Sequence, residues 1–76
     1  MLGFEPTRIT DLREKEGLTI QAFAAQIGTT KQAVSAWETG AAQPRVGTLI
    51  RICNSFNVPL IFFIYDVHQS EQQQGV

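Results

Sequence analysis

The stretch that decides the reading is IQAFAAQIGTTKQAVSAWETG, Ile20 to Gly40. Phe23, Ala24 and Ile27 fall at three- and four-residue spacing, and Val34 and Trp37 lie one turn apart. That is the signature of a helix with one buried face. Thr19 precedes the first run and Thr30 the second, each with a hydroxyl able to accept from a first-turn amide. Gly28 and Gly40 follow them, where helices end in left-handed backbone. Only Gly28-Thr29-Thr30 joins the two segments. A connection that short rules out an antiparallel hairpin and makes the helices cross steeply. Ala24 is small where they approach, and Gly28 tolerates the positive φ the turn requires. Phe23, Ile27, Val34 and Trp37 supply a shared apolar wedge. Several matches at fixed offsets distinguish this segment from a generic helical bundle.

Working outward, helical periodicity continues on both sides. Pro6 and Thr7 open a first helix, with Thr7 its expected N-cap and Asp11 near the positive end. Ile9 and Leu12 form its inner face and Gly17 ends it. Downstream, Ala41 to Arg45 is a loop containing Pro44. Leu49, Ile52, Cys53 and Phe56 then mark a fourth helix, stopped by Asn57. Pro59 suits the first turn of a short fifth helix reaching about Tyr65. Strand-like alternation and internal repeats are absent. The expectation is an all-α, compact five-helix domain over residues 1–66, with a disordered polar tail over 67–76.

The chain has 76 residues, 43% of them hydrophobic and 17% charged, which suits one small globular domain rather than disorder. The single cysteine, Cys53, excludes an internal disulfide framework. The N-terminal MLGFEPTRIT lacks a basic stretch followed by an apolar core, and the run Val58–Tyr65 is far short of the ~20 residues that span a bilayer. A cytoplasmic protein without membrane attachment is expected. Six basic against seven acidic residues leave a net charge of −1, so composition alone does not suggest a nucleic-acid partner. From Gly17 to Arg51, however, Lys31, Arg45 and Arg51 face only Glu38, which leaves that segment net +2.

The span RITDLREKEGLTIQAFAAQIGTTKQAVSAWETGAAQPRVGTLIRICNSFNVP resembles the helix-turn-helix domain of the Cro and lambda-repressor-like family, also called the xenobiotic-response-element family. The resemblance covers about Arg8 to Ile64. It rests most on LREKEGLT, FAAQIGTTKQAVSAWETG, the Pro44 loop and LIRICNSFNVP. It implies a five-helix domain, with the helix-turn-helix at about 20–39, that binds double-stranded operator DNA. The family usually does so as a symmetric dimer, with the third helix in the major groove. The function this implies is a sequence-specific transcriptional regulator, of bacterial or prophage repressor type.

On a recognition helix, the residues outside the wedge meet base edges. Those are Thr30, Lys31, Gln32, Ser35 and Ala36. Lys31 can donate to guanine O6 and N7, and Gln32 can pair bidentately with adenine N6 and N7. Ala36 offers a methyl to thymine. Phosphate contacts fall to Thr19, Gln21, Thr39 and Arg45, through a helix N-terminus and a loop cation. Many family members carry Gln immediately after the second-helix cap, where this chain has Ile20. The loop Ala41-Ala42-Gln43 is poorer in cations than in many relatives. The resemblance also pairs Arg13 with Glu38 as a buried structural ion pair supporting the recognition helix.

The run PLIFFIY exceeds what one face of a short helix buries. With Leu60, Phe63 and Ile64 inward, Ile61, Phe62 and Tyr65 face outward, the mark of an interface and here of a homodimer. Catalysis is not expected: Cys53 sits on a buried face, His68 lies in the tail, and no phosphate loop, zinc spacing or nucleophile–base pair occurs. No cofactor, metal or small-molecule ligand is implied. A competing reading is a protein–protein interaction module of the same fold that has lost DNA binding. The net charge, Ile20 and the sparse loop favour it, whereas Thr29-Thr30-Lys31-Gln32 and Arg45 oppose it.

Overall fold

The computed structural model describes residues 2–66, with side chains from 3 to 64. The predicted tail, 67–76, lies outside the described residues. In chain order the elements are β1 (Leu2–Phe4), α1 (Thr7–Lys15), α2 (Ile20–Ile27), α3 (Lys31–Thr39) and α4 (Val46–Phe56). A 3₁₀ turn (Leu60–Phe62) and β2 (Ile64–Asp66) follow. The fold class is all-α, but four α-helices stand where five are predicted, and a two-stranded ribbon joins the chain ends.

Local chemistry accounts for the central helices. Thr19 and Thr30 are extended at their N-caps, and their hydroxyls accept from the amides of Ala22 and Ala33, each at 3.1 Å. Gly28 ends α2 at φ 75°, and the turn closes as the amide of Thr29 donates to the Ala24 carbonyl at 2.9 Å. Asn57 ends α4 at φ 56°, a conformation to which asparagine adapts better than most residues. The start of α1 differs from expectation. Its N-cap is Pro6, and Thr7 is already helical, with its amide and hydroxyl both donating to the Glu5 carboxylate. Asp11 falls beyond the first turn and pairs loosely with Arg8 at 3.8 Å.

Ile9, Leu12, Phe23, Ala24, Ile27, Val34, Trp37, Leu49 and Ile52 form the core together with Phe4 and Phe63. Phe23 stacks on Phe56 with centroids 5.2 Å apart, an arrangement worth about 0.5–1.5 kcal/mol beyond burial.

The predicted fifth helix is replaced by one 3₁₀ turn and a strand. β2 runs antiparallel to β1, with Leu2 opposite Asp66, Gly3 opposite Tyr65 and Phe4 opposite Ile64. The amide of Glu5 extends the ladder to the Phe63 carbonyl at 2.8 Å. Pairing with a segment about sixty residues earlier gives Ile64-Tyr65-Asp66 backbone partners, and aromatic and β-branched residues suit the extended form. The turn also redistributes the apolar side chains. Phe63 is fully buried and Ile64 half-buried, as expected. Leu60 is not: it is 39% exposed, because it forms the wall of an open groove. Of the three expected outward side chains, Ile61 is 73% exposed. Phe62 is half-buried, edge-on to Phe63 and beneath the Arg8 guanidinium. The side chain of Tyr65 lies outside those described. Among the described residues no helix is long and apolar enough to cross a membrane.

Candidate nucleic-acid interface

The α2–turn–α3 unit presents one helix to solvent. Val34 and Trp37 anchor the inner face of α3 in the core. Its other side exposes Lys31, Gln32, Ser35 and Thr39, with Ala36 half-buried among them. Lys31, Gln32, Ser35 and Ala36 line a single shallow concavity of about 360 Å³. None of these side chains forms a hydrogen bond to another described residue, so their polar groups face solvent unspent. Thr30 differs, because its oxygen already accepts from Ala33, which leaves its proton and one lone pair.

The helix is held at its far end by an ion-pair network. Arg13 Nε donates to Glu38 Oε2 at 2.7 Å and Nη2 to Oε1 at 3.2 Å, while Nη1 reaches the Leu18 carbonyl at 3.0 Å. Thr10 Oγ1 adds a third bond to the same carboxylate at 3.0 Å. The two charged side chains keep only 15% and 10% of their exposure. The bond to Glu38 holds the guanidinium pKa above its ordinary value, against an opposing effect of burial. This joins α1, the α1–α2 loop and the end of α3 through Arg13 and one part-buried carboxylate. Thr10 was not singled out in the sequence, although its place one turn before Arg13 on the same face is a readable signal.

The residues expected at phosphates lie at the start of α2, the end of α3 and the start of α4. Thr19 spends its oxygen on the α2 cap, and Gln21 is exposed one residue inside that helix. Ile20, in place of the usual polar residue, packs against the core. Thr39 Oγ1 donates to the Ala36 carbonyl at 3.2 Å, and the amide of Ala42 reaches the same oxygen at 3.2 Å, folding the loop back onto α3. Arg45 is exposed at the N-cap of α4. Its side chain cannot accept, so the first-turn amides of α4 have no side-chain cap and point outward beside a cation. Arg51 is a residue that sequence reasoning missed. Its Nη1 donates to the Ile27 carbonyl at 3.0 Å, tying α4 to the end of α2. No spacing rule foretells a bond across 24 residues.

Cys53 is half-buried, and burial pushes its thiol pKa up, which favours the unreactive protonated form. Among the described residues no three His, Cys, Asp or Glu side chains gather as a metal ion would need.

The helix-turn-helix family profile matches residues 9–63, which is most of the chain and includes the whole α2–α3 unit. The chain belongs to the helix-turn-helix family. The fold is that of lambda-repressor-type domains. It is similar to the P22 c2 repressor solved with a synthetic operator, at 20% identity and a TM-score of 0.71, covering 79% of this chain and 91% of that one. It is similar too to SinR, a master regulator for biofilm formation solved with DNA, at 20% identity and a TM-score of 0.70, covering 76% and 97%. A transcriptional regulator from Listeria innocua superposes at a TM-score of 0.71 with 18% identity, covering 91% of this chain and 69% of its own. No curated protein sequence is a significant match.

Proposed function

We propose that this chain is a sequence-specific DNA-binding transcriptional regulator of repressor type, with α3 read into the major groove. Family membership supports the coarse reading, and the solved neighbours with this fold include repressors in complex with DNA. The observation that carries the finer reading is the unspent polar cluster on α3. Lys31, Gln32 and Ser35 surround one concavity on a helix whose opposite face is locked into the core.

In this reading Gln32 donates and accepts at an adenine edge, Lys31 donates to guanine, and Ser35 and the proton of Thr30 reach a base or the backbone. The methyl of Ala36 meets a thymine. Arg45 and the uncapped α4 amides beside it clamp a phosphate, joined by Gln21 and the N-terminus of α2 beyond Thr19. Thr39, with its proton bonded to Ala36, takes part only through its oxygen or after rotation. A homodimer would place two α3 helices ~34 Å apart on a palindromic operator. Occlusion of a promoter, as a prophage repressor acts, is the mechanism this reading assigns to the chain.

The test is selection from a random duplex library by the purified protein at low and physiological salt. Enrichment of a palindrome that fades with Gln32→Ala supports the assignment, with about 1–3 kcal/mol of base discrimination lost at one position. Failure to enrich any sequence at low salt, where phosphate attraction is greatest, overturns it.

A further inference from the structure

α3 is fixed at both ends, and the two fixings differ in what they reach. Its far end is tied to α1 through Arg13 and Glu38, and α1 carries none of the proposed DNA contacts. The elbow before its start is tied to α4 instead. The Ile27 carbonyl, at the last position of α2, takes no backbone amide among the described residues, and Arg51 Nη1 supplies its donor at 3.0 Å. A cation there also meets the negative end of the α2 dipole. The guanidinium lies against the turn itself, with Nη1 3.7 Å from where a side chain at Gly28 would begin. Lys31 and Gln32 follow Ile27 by only four and five residues. Among the described residues no other side-chain hydrogen bond joins α4 to the α2–turn–α3 unit.

We propose that Arg51 is a positioning residue for base reading, holding the start of α3 at a fixed offset from the phosphate clamp at Arg45. This rests on the DNA-binding reading above. Arg45 and Arg51 stand six residues apart along α4, ~9 Å on its axis. The helix is therefore a strut, with the clamp at one point and the elbow at another. Phosphate contacts position a reader and base contacts specify the sequence, so the two reinforce each other only while their offset is held. With the bond to Ile27 gone, the clamp still grips the backbone, but Lys31, Gln32 and Ser35 meet the base edges out of register. Loss of Arg51 should then weaken binding to the chosen sequence and leave non-specific binding unchanged. A direct contact from Arg51 to a phosphate predicts something different, an equal weakening on every duplex.

The test compares the full chain with Arg51→Met, which keeps the stem and removes the donor. Ile52→Val, a thinning of the fully buried neighbour, is the control for lost stability. Far-UV melting confirms that each variant folds. Fluorescence anisotropy then gives affinity for the duplex that the wild type selects and for a scrambled duplex, over a range of salt. Arg51→Met is expected to lower the ratio of the two affinities about tenfold, the low end for a hydrogen bond to a charged group. Its salt slope on the scrambled duplex should match that of the wild type, and Ile52→Val should keep the wild-type ratio. An unchanged ratio in Arg51→Met overturns the proposal. So does an equal loss on both duplexes with the slope shallower by about 0.9, which makes Arg51 a phosphate contact. So does an equal fall in the ratio for Ile52→Val, which makes the effect one of stability alone. A wild type that selects no duplex at low salt overturns the DNA reading and this assignment with it. A wild type that selects one upholds that reading whatever Arg51→Met does.

Discussion

Glu38→Ala tests whether α3 is held by its part-buried carboxylate. The substitution removes three bonds, two from Arg13 and one from Thr10, and leaves the guanidinium with the Leu18 carbonyl alone. Breaking a buried pair by deleting one partner costs about 3–5 kcal/mol, chiefly because the other charge stays desolvated. The low end applies here: Arg13 keeps 15% of its side-chain exposure and one carbonyl partner, so about 3 kcal/mol is expected. A 76-residue domain holds roughly 4–11 kcal/mol in total, so this loss is a large fraction. At roughly 4–8 °C per kcal/mol, the melting temperature should fall by about 12–24 °C. Urea titration followed by far-UV circular dichroism should show a lower midpoint at unchanged slope. Replacing both partners with leucine leaves no orphaned charge and should recover most of the loss. The reasoning is refuted if Glu38→Ala costs under about 1 kcal/mol, or if the double variant is simply the sum of the two single losses.

Other consequences are as open to measurement. Gly28→Ala should destabilise by about 1–2 kcal/mol through its φ of 75° alone, since the added methyl meets Arg51 at an ordinary 3.7 Å. Gly47→Ala, in the first turn of α4 with open space around it, should instead stabilise by about 0.4–1 kcal/mol in the same denaturation assay. Arg45→Ala should weaken binding to all duplex sequences alike and make the slope of log affinity against log salt shallower by about 0.9. Equal slopes for wild type and variant would remove Arg45 from the phosphate contacts. Because burial raises the Cys53 pKa, less thiolate exists at any given pH than in the unfolded chain. Iodoacetamide labelling should therefore be slower in the native protein than in urea, and equal rates would contradict that environment.

Much of the central unit is legible in the sequence because its determinants are local. Thr19 and Thr30 need only an amide three residues on, Gly28 and Gly40 need only their own φ, and the wedge follows helical spacing. The exposed face of α3 follows from the same spacing once Val34 and Trp37 are assigned inward. Thr7 shows how narrow a local margin can be, since the neighbouring Glu5 carboxylate takes up its amide and makes it a helical residue rather than the cap.

The chain ends are a different case. By itself the sequence determined the four α-helices, their order, the caps of α2 and α3 and the residues that α3 turns outward, all within the reach of a few hydrogen-bonded turns. Whether Ile64–Asp66 continues a helix or becomes a strand depends on Leu2–Phe4, a partner brought close only once four helices have packed. That pairing buries Phe4 and Phe63 and leaves Leu60 and Ile64 lining a groove. Arg51 and Thr10 likewise found their partners across 24 and 28 residues. Only the tertiary structure decided these, because backbone ladders, helix-end carbonyls and part-buried carboxylates draw partners from wherever packing delivers them, at separations that local periodicity does not encode.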